Sequence, residues 1–151
     1  MAWLFTYDAY SKYKNTIIYR IVCKDVNITD MYIGHTTCFP NRKNEHKYNC
    51  TNTNAEKYNC RVYQFIRKNG EWKNWEMIEI ERYPCNDRIE ATKQERYWLE
   101  HYKATLNCEV PGRTRAERVE TKKLERLQRK NEIKVELLDN GCWVELVHNV
   151  V

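Results

Sequence analysis

A chain of 151 residues that is 42% hydrophobic can bury roughly two thirds of its unfolded surface without disulfide staples, so one domain plus an appendage is expected. The apolar run from Met1 to Phe5 is far shorter than the ~18 residues of a membrane span or the ~7–15 of a signal-peptide core. This excludes both, and an intracellular protein with no membrane partner is expected. The seven cysteines (23, 38, 50, 60, 85, 108 and 142) form no Cys-x-x-Cys pair and have no His pair at zinc spacing, which argues for a reduced compartment without a structural zinc. The net charge of +5 favours a polyanion yet falls well short of a histone-like excess.

In chain order, Thr16 to Cys23 is a β-branched run, Lys24 to Asp30 is a polar turn, and Met31-Tyr32-Ile33-Gly34 is a short aromatic strand. Together they predict a β-hairpin. Thr37 can cap a helix that tolerates Pro40 in its first turn and carries Phe39, Arg42 and His46 on one face. The stretch Tyr48 to Glu56 reads as a surface loop, and Lys57 to Asn69 as a second helix stopped by Gly70. Between Trp75 and Glu81, Ile78 and Ile80 alternate with glutamates, which predicts a third strand exposed on one face.

Asp87 to Glu90 has capping-box spacing with Asp in place of Ser or Thr, so a helix is expected from there to about Lys103. Its apolar stripe is Ala91, Trp98, Leu99 and Tyr102, and Glu95 stands in the middle of it. A carboxylate there needs a partner. Either it pairs with a core Arg or tyrosine hydroxyls, or it is a metal ligand or general base.

Taken in order, Ile17-Ile18-Tyr19, Tyr32-Ile33-Gly34, Arg42 with His46, Glu95 with Tyr97-Trp98, and Asn107 resemble the GIY-YIG nuclease superfamily over residues 16–108. The wording Tyr-Ile-Gly-His-Thr, Asn-Arg-Lys-Asn-Glu-His and Glu-Arg-Tyr-Trp-Leu-Glu is most similar to the standalone versions in large DNA viruses and phages. The resemblance implies two active-site tyrosines (Tyr19 and Tyr32), a phosphate-facing Arg42, His46 one turn on, Glu95 as metal ligand and Asn107 as a late supporting residue. Ile17 replaces the first glycine of the family name, and Lys57 stands where some homing enzymes carry a histidine.

The chemistry agrees with that set. Phosphodiester hydrolysis needs a water that loses a proton, a clamp on the phosphoryl oxygens and help for the leaving oxygen. Tyr19, with an ordinary pKa near ~10, is the candidate base if its surroundings favour the phenolate. Arg42 offers a permanently charged planar fork. Glu95 alone suits one Mg²⁺, or Mn²⁺ in its place, that keeps several waters. His46 is placed to relay a proton between a tyrosine and solvent. His35 is a candidate to hydrogen-bond a tyrosine or a phosphate, and with Lys57 it completes the nucleic-acid contacts expected near the site.

Beyond Pro111-Gly112, Thr114 to Glu117 is a full capping box opening a charged helix to about Asn131. Residues 113–130 hold eight basic side chains against three acidic ones, with Arg115, Arg118, Lys122 and Arg126 the candidate phosphate contacts. The alternative is a solvated helix held by charge pairs such as Glu125 with Arg129. Glu132 to Leu138 and Cys142 to His148, around Asp139-Asn140-Gly141, predict a terminal β-hairpin.

The expected architecture is therefore α/β (α+β): an extension over residues 1–15, a domain over 16–110 with a small, mostly antiparallel three-stranded sheet and flanking helices, and a basic helix and hairpin over 111–151. The expected activity is a metal-dependent DNA endonuclease, with branched or AT-rich DNA among its conceivable substrates and a homodimer as one route to specificity. A non-cleaving nucleic-acid-binding module with the same fold is the alternative.

Overall fold

The computed structural model describes residues 12–139, with side chains as far as Glu132. In chain order the elements are β1 (Ile17–Cys23), β2 (Met31–Thr36), α1 (Phe39–Thr51), α2 (Arg61–Lys68), β3 (Trp75–Arg82), α3 (Arg88–Tyr102) and α4 (Arg115–Asp139). The chain divides into two compact units after Gly112.

In the first unit the three strands form an antiparallel sheet in the order β2-β1-β3. β1 is central because its residues can be buried on both faces. Tyr19 and Ile21 point to a cluster with Val62, Ile66, Trp75 and Met77, backed by α1 and α2. Ile18 points the other way, to Ile33 and Leu99 of α3. Each fully buried Ile of this kind contributes roughly 1.5–3 kcal/mol. The third strand is accordingly covered on both faces, against the expectation of an exposed one. Trp75 and Met77 pack in the first cluster, Ile80 packs against the second, and Glu76 and Glu79 are left in solvent. The β1–β3 pairing shifts register between Ile18 and Tyr19, where one extra β3 residue is accommodated.

α3 is fixed to the sheet by more than apolar contact. Glu81 accepts hydrogen bonds from Gln94 Nε2 at 2.7 Å and Trp98 Nε1 at 2.6 Å. At its start Asp87 accepts from the amides of Ile89 and Glu90, while the Glu90 carboxylate reaches back to the Asn86 amide, one residue further out than in the usual box. Two other boundaries differ from the sequence reading. α1 runs through Thr51 into the expected loop, because Asn49 and Cys50 are drawn into the interior. α2 starts only at Arg61, after turns in which the Cys60 amide donates to Lys57. The N-cap of α1 is Cys38, steadied by the Thr36 hydroxyl, rather than Thr37.

In the second unit the Thr114–Glu117 box closes as expected, with the Glu117 amide donating to Thr114 Oγ1 and the Thr114 amide to the Glu117 carboxylate. The helix then continues to Asp139, so the segment 132–138 is helical and not the first strand of a hairpin. From Arg115 to Asp139 no Gly or Pro interrupts the helix, and propagation costs little once a helix is nucleated. The expected partner strand, 142–148, and most of the N-terminal extension lie outside the described residues. No described helix is long and apolar enough to cross a membrane.

Candidate active site

The site is built first by strand register. Tyr19 faces Gly34 across the β1–β2 ladder and Tyr32 faces Ile21, which brings the two tyrosine rings to 6.3 Å between centroids. The Tyr19 ring lies over Gly34 so closely that a Cβ at that position would sit 2.5 Å from the Tyr19 oxygen. The glycine of Tyr-Ile-Gly is thus required by close approach.

α1 then supplies two side chains to Tyr19. Arg42 Nε donates to the Tyr19 oxygen at 3.0 Å, and His46 Nε2 lies 2.8 Å from the same oxygen. The other nitrogen of His46 is 3.0 Å from Tyr63 of α2, and its ring stacks on Trp72. Burial, reinforced by the Arg42 charge, pushes His46 down to about 3, so the ring is neutral across the physiological range. Burial also holds Tyr19 and Tyr32 above the ordinary tyrosine value, helped at Tyr19 by Tyr32 and at Tyr32 by the Glu95 charge. Both are therefore phenols in the free protein. Arg42 is held on its outer side by Glu45, at 2.7 Å from Nη1, and Glu45 also reaches Lys57 at 3.9 Å.

Opposite these groups, α3 presents Glu95. Its carboxylate is mostly buried, and its partner is neither a core Arg nor a tyrosine but His35, with Nδ1 at 2.5 Å from Oε2. His35, expected at a tyrosine or a phosphate, meets Glu95 through Nδ1. Asn107 clamps the backbone of β2, its amide nitrogen donating to the Ile33 carbonyl at 2.7 Å and its carbonyl accepting from the Ile33 amide at 2.9 Å. It acts as a one-residue strand on the free edge of β2, and so positions Tyr32.

Tyr32, Arg42, His46, Lys57, Glu95 and Asn107 line a single open cleft of about 270 Å³. Tyr19 is not on its wall; it is fully buried behind it. Of the four basic residues expected to meet phosphate on α4, all are exposed, and they belong to the separate second unit. Sequence reading missed Tyr63, Asn49 and Glu45. The first two look like ordinary helix residues, and only the i, i+3 spacing of Glu45 from Arg42 hinted at a partner.

Two tyrosines on a small antiparallel sheet, an Arg and a neutral His on the helix behind them, and a carboxylate across the cleft define an α+β domain arranged for phosphate-ester chemistry. Residues 15–107 match the GIY-YIG catalytic domain, and the chain belongs to the GIY-YIG family. No curated protein and no solved structure matches it significantly. Such domains are nuclease domains that act on nucleic acid and generally depend on a divalent metal.

Glu95 fits that requirement in kind. Its Oε1 has no hydrogen-bond partner among the described residues, and it stands on the cleft wall as a hard oxygen ligand. Among the described residues no group of three or more His, Cys, Asp or Glu could hold a metal, so the site is an open platform, with Glu95 and Glu109 the carboxylates on the cleft wall, rather than a cage. Magnesium, which keeps most of its waters, suits such a platform.

Proposed function

We propose that this chain is a Mg²⁺-dependent DNA endonuclease of the standalone type found in large DNA viruses and phages. The observation that carries the reading is the convergence of Tyr32, Arg42, His46 and Glu95 on one cleft. Glu95 would hold the metal, which supplies Lewis-acid charge to the phosphoryl oxygens when bound.

The remaining chemistry belongs to the chain. Arg42, already fixed through Tyr19, exchanges Glu45 for a phosphoryl oxygen and stabilises the charge that develops in the transition state. The tyrosine that meets the attacking water is Tyr32, because it lines the cleft whereas Tyr19 has no exposed surface. Tyr32, a phenol in the free protein, first releases its own proton through the open cleft to solvent; water then attacks phosphorus and gives a proton to the Tyr32 oxygen, and the bond to the leaving oxygen breaks as that oxygen takes up a proton from solvent. His46, neutral and enclosed, does not carry a proton to solvent; it holds Tyr19 in place. Arg115, Arg118, Lys122 and Arg126 contribute backbone affinity without sequence reading.

Nicking of supercoiled plasmid in Mg²⁺ and in EDTA tests the proposal. Conversion to open-circle or linear DNA only in Mg²⁺ is expected. Retardation of DNA without any cutting would support the non-cleaving module instead.

A further inference from the structure

Successive side chains of β2 point to opposite faces of the sheet. Tyr32 packs on the face backed by α1 and α2, and Ile33 on the face covered by α3. His35, two residues after Ile33, shares the α3 face and meets Glu95 there, Nδ1 to Oε2 at 2.5 Å. The two side chains are only 18% and 13% exposed. The backbone beneath the ring is held from both sides. Asn107 bonds the amide and the carbonyl of Ile33, and β1 pairs with β2 along its length. Glu95 is a long side chain on a helix, and among the described residues His35 is the one hydrogen-bond partner of its carboxylate. A carboxylate only accepts hydrogen bonds, so Nδ1 carries the hydrogen. With Oε2 occupied in this way, Oε1 is the oxygen left for a ligand.

We infer that His35 is a positioning residue for the metal carboxylate: its Nδ1–H holds Glu95 Oε2 so that Oε1 is presented to a divalent cation in the cleft. Outer hydrogen bonds of this kind orient a ligand, and their loss weakens metal binding by roughly 10–100-fold. One strand thus places both Tyr32 and, through His35, the carboxylate opposite it. A pair that merely tied α3 to β2 would support the fold and leave metal affinity untouched. The inference rests on Glu95 as metal ligand, as in the proposed function, but not on cleavage itself.

The test is a Mg²⁺ titration of the full chain followed in ¹H–¹⁵N amide spectra, which detect weak binding without any cleavage. The wild type is expected to show saturable shifts around Glu95 that are lost in Glu95→Gln. His35→Phe keeps a ring but has no donor, and should weaken Mg²⁺ binding about tenfold or more. His35→Asn, whose amide can donate from near the Nδ1 position, should recover it to within about threefold of wild type. Unchanged affinity in His35→Phe overturns the inference, and so does weakened binding that His35→Asn fails to restore. A Mg²⁺ site that survives Glu95→Gln, at Glu109 for instance, overturns it as well. In long-range ¹H–¹⁵N spectra of the wild type, a His35 ring without a hydrogen on Nδ1 overturns it whether or not the variants fold. A chain whose Mg²⁺ affinity depends on His35 but which cuts no DNA overturns the proposed function and leaves the positioning role standing. Cleavage in Mg²⁺ with an affinity indifferent to His35 does the reverse.

Discussion

The unit ending at Gly112 buries polar side chains in connected hydrogen bonds, whereas α4, as far as Glu132, leaves most of its charges and its large apolar side chains in solvent. In the first unit Thr16, His46 and Asn49 are buried, and no buried side-chain nitrogen or oxygen among the described residues lacks a partner. Along α4, Val119, Leu124 and Leu127 are each about half exposed or more. A buried, fully bonded polar network fixes where each oxygen and nitrogen points, which is what chemistry at one phosphorus atom requires. Exposed cations on a helix fix only a field, which serves affinity for a charged backbone. Substitutions in the two units should therefore fail in different ways.

The largest separation is expected at Glu95. Glu95→Gln keeps the shape and can still bond His35, so cleavage in Mg²⁺ should fall by roughly a thousandfold or more while the melting temperature stays near wild type. DNA binding measured in EDTA should persist. A variant that cuts normally but melts early would place Glu95 among the structural residues and remove the metal site from the mechanism.

Arg42→Lys keeps the charge but cannot bond Tyr19 and a phosphate in one plane, so kcat should drop by about 10²–10³. Activity within a few-fold of wild type would make Arg42 as dispensable as a cation of α4.

Acid should distinguish the units by stability. His46 has a folded-state pKa near 3, below the ordinary 6.5, so the neutral ring stabilises the fold above about pH 6.5 and that contribution is lost as pH falls from there towards 3. Its full size is on the order of 4–5 kcal/mol, and urea titrations between pH 7 and 4 should show a shallower acid slope for His46→Asn than for wild type. Equal slopes would mean that His46 is solvated despite its enclosure.

The smallest effects belong to α4. Replacing Lys122 and Arg126 by Gln should reduce the slope of log affinity against log salt by roughly one for each phosphate that is no longer neutralised, and should leave kcat on saturating DNA unchanged. An unchanged salt slope would assign the helix to a partner protein or to solvent.

These contrasts mirror what is legible from local pattern and what is not. The hairpin, the helix carrying Arg42 and His46, and the odd Glu95 can be read directly because periodicity and caps are local properties of the sequence. The false strand at 132–138 shows the limit of that locality. Alternating Val135 and Leu137 beside an Asn-Gly pair suits a hairpin, yet a nucleated helix without an interruption carries through the same residues.

Within the site, the order of residues along the chain is enough to say which side chains are available: two tyrosines on adjacent strands, an Arg and a His one turn apart, a carboxylate in an apolar stripe, an Asn in the closing loop. Their ranks come from packing between elements far apart in the chain. Strand register put Tyr19 beneath Gly34 and left Tyr32 on the cleft wall. Packing of α2 against α1 brought Tyr63 to the second nitrogen of His46, and packing of α3 against β2 gave Glu95 to His35. Burial and the second partner of a hydrogen bond depend on residues distant in sequence, and no local pattern encodes which of two chemically identical tyrosines ends up in contact with water.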